Sequence, residues 1–287
     1  MTLGLLLAVC LFGLACEDSV NPFIEEDRFY TLYGFLDTAT DTQFVRVIPL
    51  RLDLNPVTDS SFNGVVTSTA LEATRPVVWR DSLVHFDDGT VGHVFYSPMN
   101  VFPGWTYHVE IRRKDGATTG ASTTIPVAQD VVVGKPGLVG SRLFQRVTWQ
   151  NVDFPPFRVE VWYRFANFPP SLPFKQVVIT YPGEKIGDQS DEGWRVSVDL
   201  NEDRNEVLRQ LGTALPMLGM GMRITISDEK WRPPNGVFDP ELLVQPGVFS
   251  NVEGGFGFLG SVNQFTVEWL LPEKTMADLG YPRPAKR

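Results

Sequence analysis

Hydrophobic and polar positions alternate with period two over two long stretches of the chain. Trp105, Tyr107, Val109 and Ile111 alternate with Thr106, His108, Glu110 and Arg112, which predicts a strand with one buried and one wet face. Phe157, Val159, Val161, Tyr163 and Phe165 alternate with Arg158, Glu160, Trp162 and Arg164 and predict a second half-buried strand. Shorter runs at Phe44 to Leu50, Val177 to Tyr181, Trp194 to Val198, Met222 to Ile226 and Phe265 to Trp269 carry the same signature. Between them stand turn formers such as Phe62-Asn63-Gly64, Asp87-Asp88-Gly89 and Asp115-Gly116, where Gly accepts a positive φ.

The rhythm of short strands and turns predicts a mainly β protein of two β-sandwich-like domains, the first immunoglobulin-like. Gly134-Lys135-Pro136-Gly137 interrupts an apolar stretch and sets the boundary, giving a first domain over 29–127 and a second over 128–287. One short helix is expected in the second. Asn201 caps it, Glu202 to Leu211 form it with acids at the positive end, Val207, Leu208 and Leu211 share a face, and Gly212 takes the C′ position.

With 43% hydrophobic and 21% charged residues the chain has the material for a packed core, which excludes a disordered or collagen-like protein. The formal charge of −9, with no clustered Lys and Arg, excludes a nucleic-acid binder. More than half of that charge is local. Glu17, Asp18, Glu25, Glu26 and Asp27 lie in the stretch 16–28 with no base before Arg28, which reads as an acidic, solvated tether.

Ahead of the tether, Leu3 to Ala15 is an uncharged apolar run, too short for the ~20 residues of a membrane span and within the length of a signal-peptide core. It ends in Gly13-Leu14-Ala15-Cys16, small residues followed by a cysteine. The segment 1–15 therefore resembles a bacterial lipoprotein signal, and the resemblance implies cleavage before Cys16 and attachment of lipid to its sulfur. An ordinary signal-peptidase site with an incidental thiol is the other reading of the same small residues. Cys10 and Cys16 are the two cysteines of the chain, so loss of the leader leaves one and allows no disulfide. The acids after the cysteine resemble a signal for display on the cell surface; a soluble spacer is the alternative.

Residues that carry chemistry are few. His85 and His93 flank a turn and form either two ligands of an incomplete metal site or a solvent-facing pair, and His108 falls on the wet face of its strand. Glu184, Asp188, Asp191 and Glu192 form a calcium-capable or simply solvated loop, and Asp37 and Asp41 read as turn residues. Gly254-Gly255-Phe256-Gly257 lacks the ending of a phosphate loop and serves either close backbone packing or a ligand-contacting loop. Trp231, in a Pro-stiffened loop, and Trp162 are the aromatics that a carbohydrate- or peptide-binding module would expose. Ligand-contacting candidates are thus Trp231, Asn251 and Glu253. No nucleophile elbow is present, and neither a catalytic residue nor a cofactor is expected. An unrecognised hydrolase stays the alternative, because paired carboxylates carry no sequence signature.

The lipoprotein-like signal, the Trp105-x-Tyr107 strand and the segment Phe249-Ser250-Asn251-Val252-Glu253-Gly254-Gly255-Phe256-Gly257 together resemble an uncharacterised family of Bacteroidota-type outer-membrane lipoproteins, a domain of unknown function. The resemblance implies lipid anchoring at the outer membrane, on its periplasmic face or at the cell surface. It also implies a non-catalytic accessory role beside a TonB-dependent receptor, and it transfers no catalytic residue.

Overall fold

The fold is described from a computed structural model over residues 28–50, 61–85, 87, 91–149, 156–167, 174–182, 193–228 and 250–283. It is mainly β and is built as two β-sandwiches that share one large sheet. The strands of the first half are β1 (Tyr30–Asp37), β2 (Gln43–Pro49), β3 (Val65–Ala70), β4 (Val77–Val78), β5 (Arg80–His85), β6 (Val91–Ser97), β7 (Thr106–Arg112) and β8 (Thr118–Thr124). Those that follow are β9 (Val131–Val133), β10 (Gly137–Val139), β11 (Arg142–Trp149), β12 (Arg158–Phe165), β13 (Lys175–Tyr181), β14 (Trp194–Asp199), β15 (Met217–Ser227) and β16 (Gly255–Trp269). Two helices are described, α1 (Leu200–Leu211) and α2 (Glu273–Asp278).

The large sheet has eight strands in the order β13-β12-β15-β16-β1-β2-β6-β5. Its centre is β16, 15 residues long. The first half of that strand runs parallel to β1, Tyr30 opposite Gly255 through Asp37 opposite Val262. Its second half runs antiparallel to β15, Ser227 opposite Val262 through Met220 opposite Trp269. A parallel pair needs a long connection, and here nearly the whole chain lies between the two partners.

Side chains alternate across a strand, and Leu259 packs into the first core while Phe265 and Trp269 pack against the second. All three are odd-numbered, so both smaller sheets stack on the same face of the large one. The sheet β4-β3-β7-β8 covers the first half, and β10-β11-β14, with β9 also paired to β11, covers the second. The first core gathers Leu32, Leu36, Val45, Val47, Val109, Ile111 and Ile125 and adds Val252 and Leu259 from the far end of the chain. The second gathers Trp149, Val161, Tyr163, Phe165, Val198, Met220, Met222 and Ile224. A division into consecutive halves therefore does not describe residues 252–262, which follow the expected boundary and pack with the first sandwich.

Three local expectations are corrected. The strand over Phe157 to Phe165 is not half wet: Glu160 and Trp162 on its outer face are 7% and 4% exposed. As an inner strand it has neighbours on both sides, and Arg158 and Arg223 both close on Glu160 at 2.6 and 3.0 Å. The helix N-cap is Asp199, whose carboxylate accepts the N–H groups of Asn201 and Glu202, while Asn201 uses its own oxygen to accept the N–H of Leu143 at 2.6 Å. Gly212 does end α1 in the left-handed region at φ 74°. Finally, α2 adds a second short helix to the one expected.

Candidate functional site

At the end of the first sandwich where β1 begins, several polar groups surround an open hollow of about 450 Å³ lined by Phe29, His108, Glu110, Thr118, Gly120 and Glu253. Strand alternation puts His108 and Glu110 on the outer face of β7. The His108 ring lies across Gly120 of β8, where an added Cβ would meet Nε2 at 3.0 Å, and its Nδ1 is 3.0 Å from the Ser122 hydroxyl. Glu253 reaches this place through its backbone: its N–H donates to the Gly120 carbonyl at 2.8 Å and its carbonyl accepts the Gly120 N–H at 3.0 Å. The exposed Glu253 side chain thus shares the hollow with the imidazole, while the Glu110 carboxylate is held by Arg112 at 2.8 Å. The hollow offers hydrogen-bond acceptors and negative charge. Among the described residues no three His, Cys, Asp or Glu side chains group to hold a metal ion.

Asn251 has a different task. Its amide nitrogen donates to the Leu259 carbonyl at 2.7 Å and its oxygen accepts the Leu259 N–H at 2.9 Å. The side chain thus imitates a neighbouring strand along the part of β16 that β15 does not reach. The amide is spent on the fold. The glycines beside it are likewise strand positions: Gly257 stands at φ 106° with a would-be Cβ against the Leu32 carbonyl, and Gly255 would meet the Tyr30 carbonyl. Close backbone packing is what these two serve, while Gly254 lines the hollow.

The remaining expected sites fall out as follows. His93 is not solvent-facing: it is 2% exposed, packs on Phe62 at 5.1 Å and sits 2.8 Å from Asp81. It lies opposite Leu83, and the exposed His85 lies opposite Val91, so the two are offset on the hairpin. Trp162 is buried, roofed by Arg164 at 4.4 Å from its ring centroid, and presents no stacking surface. Asp37 and Asp41 do bond within their turn, to the Ala39 N–H and the Thr42 hydroxyl. Cys16, Trp231 and the acids from Glu184 to Glu192 lie outside the described residues.

The sequence reading missed a second polar cluster, under α1. Asp203 is 4% exposed and accepts the hydroxyls of Tyr163 at 2.5 Å and Tyr181 at 2.8 Å. Burial pushes its carboxyl up to about 6, partly opposed by the two tyrosine hydrogen bonds and helped by Glu202 and Asp199. Burial, followed by the Asp203 charge, raises both tyrosines as well. The signal was legible in principle, since Asp203 lies on the helical stripe that buries Leu200 and Val207. Above the cluster a second hollow separates β13 from α1, lined by Ile179, Thr180, Tyr181, Glu202, Glu206 and Arg209.

No family model and no curated protein matches the chain. Among solved structures the chain is similar to the crystal structure of bovine butyrophilin, at 12% identity over 85% of this chain and 99% of that one, with a TM-score of 0.19. A likeness of that size carries no argument, and the sandwich architecture rests on the strand pairing itself.

Proposed function

We propose that the chain is an envelope lipoprotein, held on the outer membrane by lipid at Cys16, that acts by binding and without catalysis as an accessory of a receptor or transport system of the TonB-dependent kind. The observation that carries this reading is Cys16 directly after an apolar run, followed by an acidic tether that joins β1. Geometry adds a direction. Beginning beside the start of β1 and running parallel to it, β16 continues past its end into the second sandwich, so at ~3.3 Å per residue it extends about 46 Å. An anchor at Cys16 joins the body at the end where β1 begins, so in this reading the hollow at Phe29 and Glu253 faces the membrane and the second sandwich lies at the far end of β16.

Mass spectrometry of the mature N-terminus tests the anchor: a lipidated Cys16 is expected, and a free thiol or an intact leader refutes it. Crosslinking and pull-down from the native membrane tests the role, with a TonB-dependent receptor expected in the eluate. Recovery of the lipoprotein alone, with that receptor in the extract, counts against it. A surface module that binds peptide is the second reading, favoured by an edge of the large sheet that has no pairing strand among the described residues.

A further inference from the structure

β13 is one end of the eight-stranded sheet, hydrogen-bonded to β12 on one side. On its other side, among the described residues, no backbone group of Lys175 to Thr180 finds a partner. Folded proteins blunt such edges with charge, proline or shortness, because an open ladder recruits another strand. The other edges here follow that rule. β5 carries Arg80, Asp81 and His85; β14 carries Arg195 and Asp199; β4, β9 and β10 are two or three residues long. The uncharged β8 is covered, since Gly120 bridges Glu253 and the Thr119 and Thr123 hydroxyls bond to Gly254 and Ser261. β13 reads Lys-Gln-Val-Val-Ile-Thr-Tyr, seven residues with one charge at its start.

The edge also has a wall. The hollow between β13 and α1 lies along it, with Ile179 and Tyr181 on one side and Glu202, Asn205, Glu206 and Arg209 on the other. A strand laid beside β13 sends alternate side chains into this hollow and the others along Gln176, Val178 and Thr180. The hollow's lining is net negative: Glu202, Asp203 and Glu206 stand against one lining base, Arg209, bonded to Glu206 at 2.6 Å, while Glu202 also reaches the half-exposed Arg142 at 3.5 Å.

We propose that β13 takes up an extended segment of a partner protein as a ninth strand of the large sheet, and that the wall of α1 selects Lys or Arg at alternate positions of that segment. The proposal rests on reading the protein as a binding component and names the chemistry of its partner. Main-chain hydrogen bonds hold the segment in place, and the carboxylates choose its side chains. A second copy of the chain is the lesser occupant, because antiparallel pairing of two β13 edges turns their tethered ends in opposite directions.

Two synthetic heptapeptides, one alternating Lys with Val and one alternating Glu with Val, test this on the full-length chain in detergent. Hydrogen exchange across residues 175–181 and titration calorimetry are the readouts. The Lys-Val peptide is expected to protect β13 and to bind at least about tenfold more tightly than the Glu-Val peptide, with the preference weakened by salt. In the double variant Glu202→Lys, Glu206→Lys the preference reverses. Of Val178→Pro and Ile179→Pro, the one whose N–H points away from β12 keeps the fold, and in that folded variant protection by either peptide is lost.

Equal affinity for both peptides overturns the selection by charge. Absence of protection at millimolar peptide, or full protection in the folded proline variant, overturns strand addition. An unmodified Cys16 would instead refute the anchor and leave these measurements unaffected.

Discussion

The first sandwich completes its core with Val252 and Leu259 and completes its large sheet with the first half of β16; the second draws its whole core from residues 147–281 and closes one side with α1, the helix that directly follows β14. Both also bury a carboxyl: the first holds Asp228 against the Thr123 and Ser261 hydroxyls, and the second holds Asp203 between Tyr163 and Tyr181. One region is assembled from both ends of the chain, the other from a contiguous stretch. The difference teaches which half stands alone: a sandwich that waits for its last strand cannot fold before the chain is complete.

Cutting the chain at the expected boundary tests this most severely. Residues 29–127 alone lack the parallel partner of all eight β1 residues and two core side chains. That fragment is expected to show no cooperative thermal transition and little amide dispersion. Residues 128–287 retain every member of the second core and are expected to melt cooperatively. A cooperative transition in the shorter fragment would remove the contrast.

The next largest effect belongs to the junction of β16 with β1. Gly257→Ala forces a Cβ against the Leu32 carbonyl at a backbone φ of 106°. Backbone strain and overpacking each cost ~1–3 kcal/mol, so a loss of about 4 kcal/mol is expected in denaturant unfolding, located in the first sandwich by hydrogen exchange. Gly140→Ala is the control, with φ 61° and open space around it, and should lose about 1 kcal/mol. Similar losses for the two would show that β16 and β1 do not depend on close approach.

What could be read before the structure follows the same divide. Period-two alternation marked β7 and β12 because each packs a regular core face, and Asp115-Gly116 marked the hairpin between β7 and β8; the turn expected at Asp87-Asp88-Gly89 lies largely outside the described residues. The first half of β16 was hidden, since Gly255-Phe256-Gly257-Phe258 has the composition of a loop and its partner is β1, at the other end of the chain. Sequence pattern reports local periodicity and is silent on distant pairing. At the candidate site, Glu253 was legible as part of an unusual segment. The structural role of Asn251 was hidden for the same reason as the pairing of β16: it exists only once Leu259 lies beside it. His93 and Trp162 were placed outside because a strand read alone shows which residues alternate, not whether its outer face is covered too.

Within the second sandwich, pH separates the buried carboxyl from the rest. The Asp203 carboxyl is raised from an ordinary 3.8 to about 6, so the folded state holds its proton more tightly than the unfolded chain. Stability from this group is full below pH ~4 and is lost as pH rises through 6. At 1.36 kcal/mol per pH unit the loss is about 3 kcal/mol. Asp203→Asn keeps the size and removes the charge. Relative to the native chain it should gain stability steadily between pH 4 and 7 in parallel denaturant melts. A difference independent of pH would mean that the carboxyl titrates normally and that its tyrosine bonds, not burial, decide its state.

The smallest effect bears on how the first sandwich borrows its last strand. Asn251 satisfies both backbone groups of Leu259, where β16 has left β15 behind. Asn251→Ala leaves an N–H and a C=O without partners in a half-buried place, at ~1–3 kcal/mol, and about 2 kcal/mol is expected because water reaches part of the segment. Asn251→Asp discriminates further. Its oxygen still accepts the Leu259 N–H, but a second carboxylate oxygen then faces the Leu259 carbonyl, so the variant should be at least as unstable as the alanine at pH 7 and recover as the carboxyl takes up a proton on acidification. A carboxyl that is harmless at neutral pH would mean that the donated hydrogen bond to Leu259 matters little, and that strand closure here rests on Val252 and Leu259 in the core.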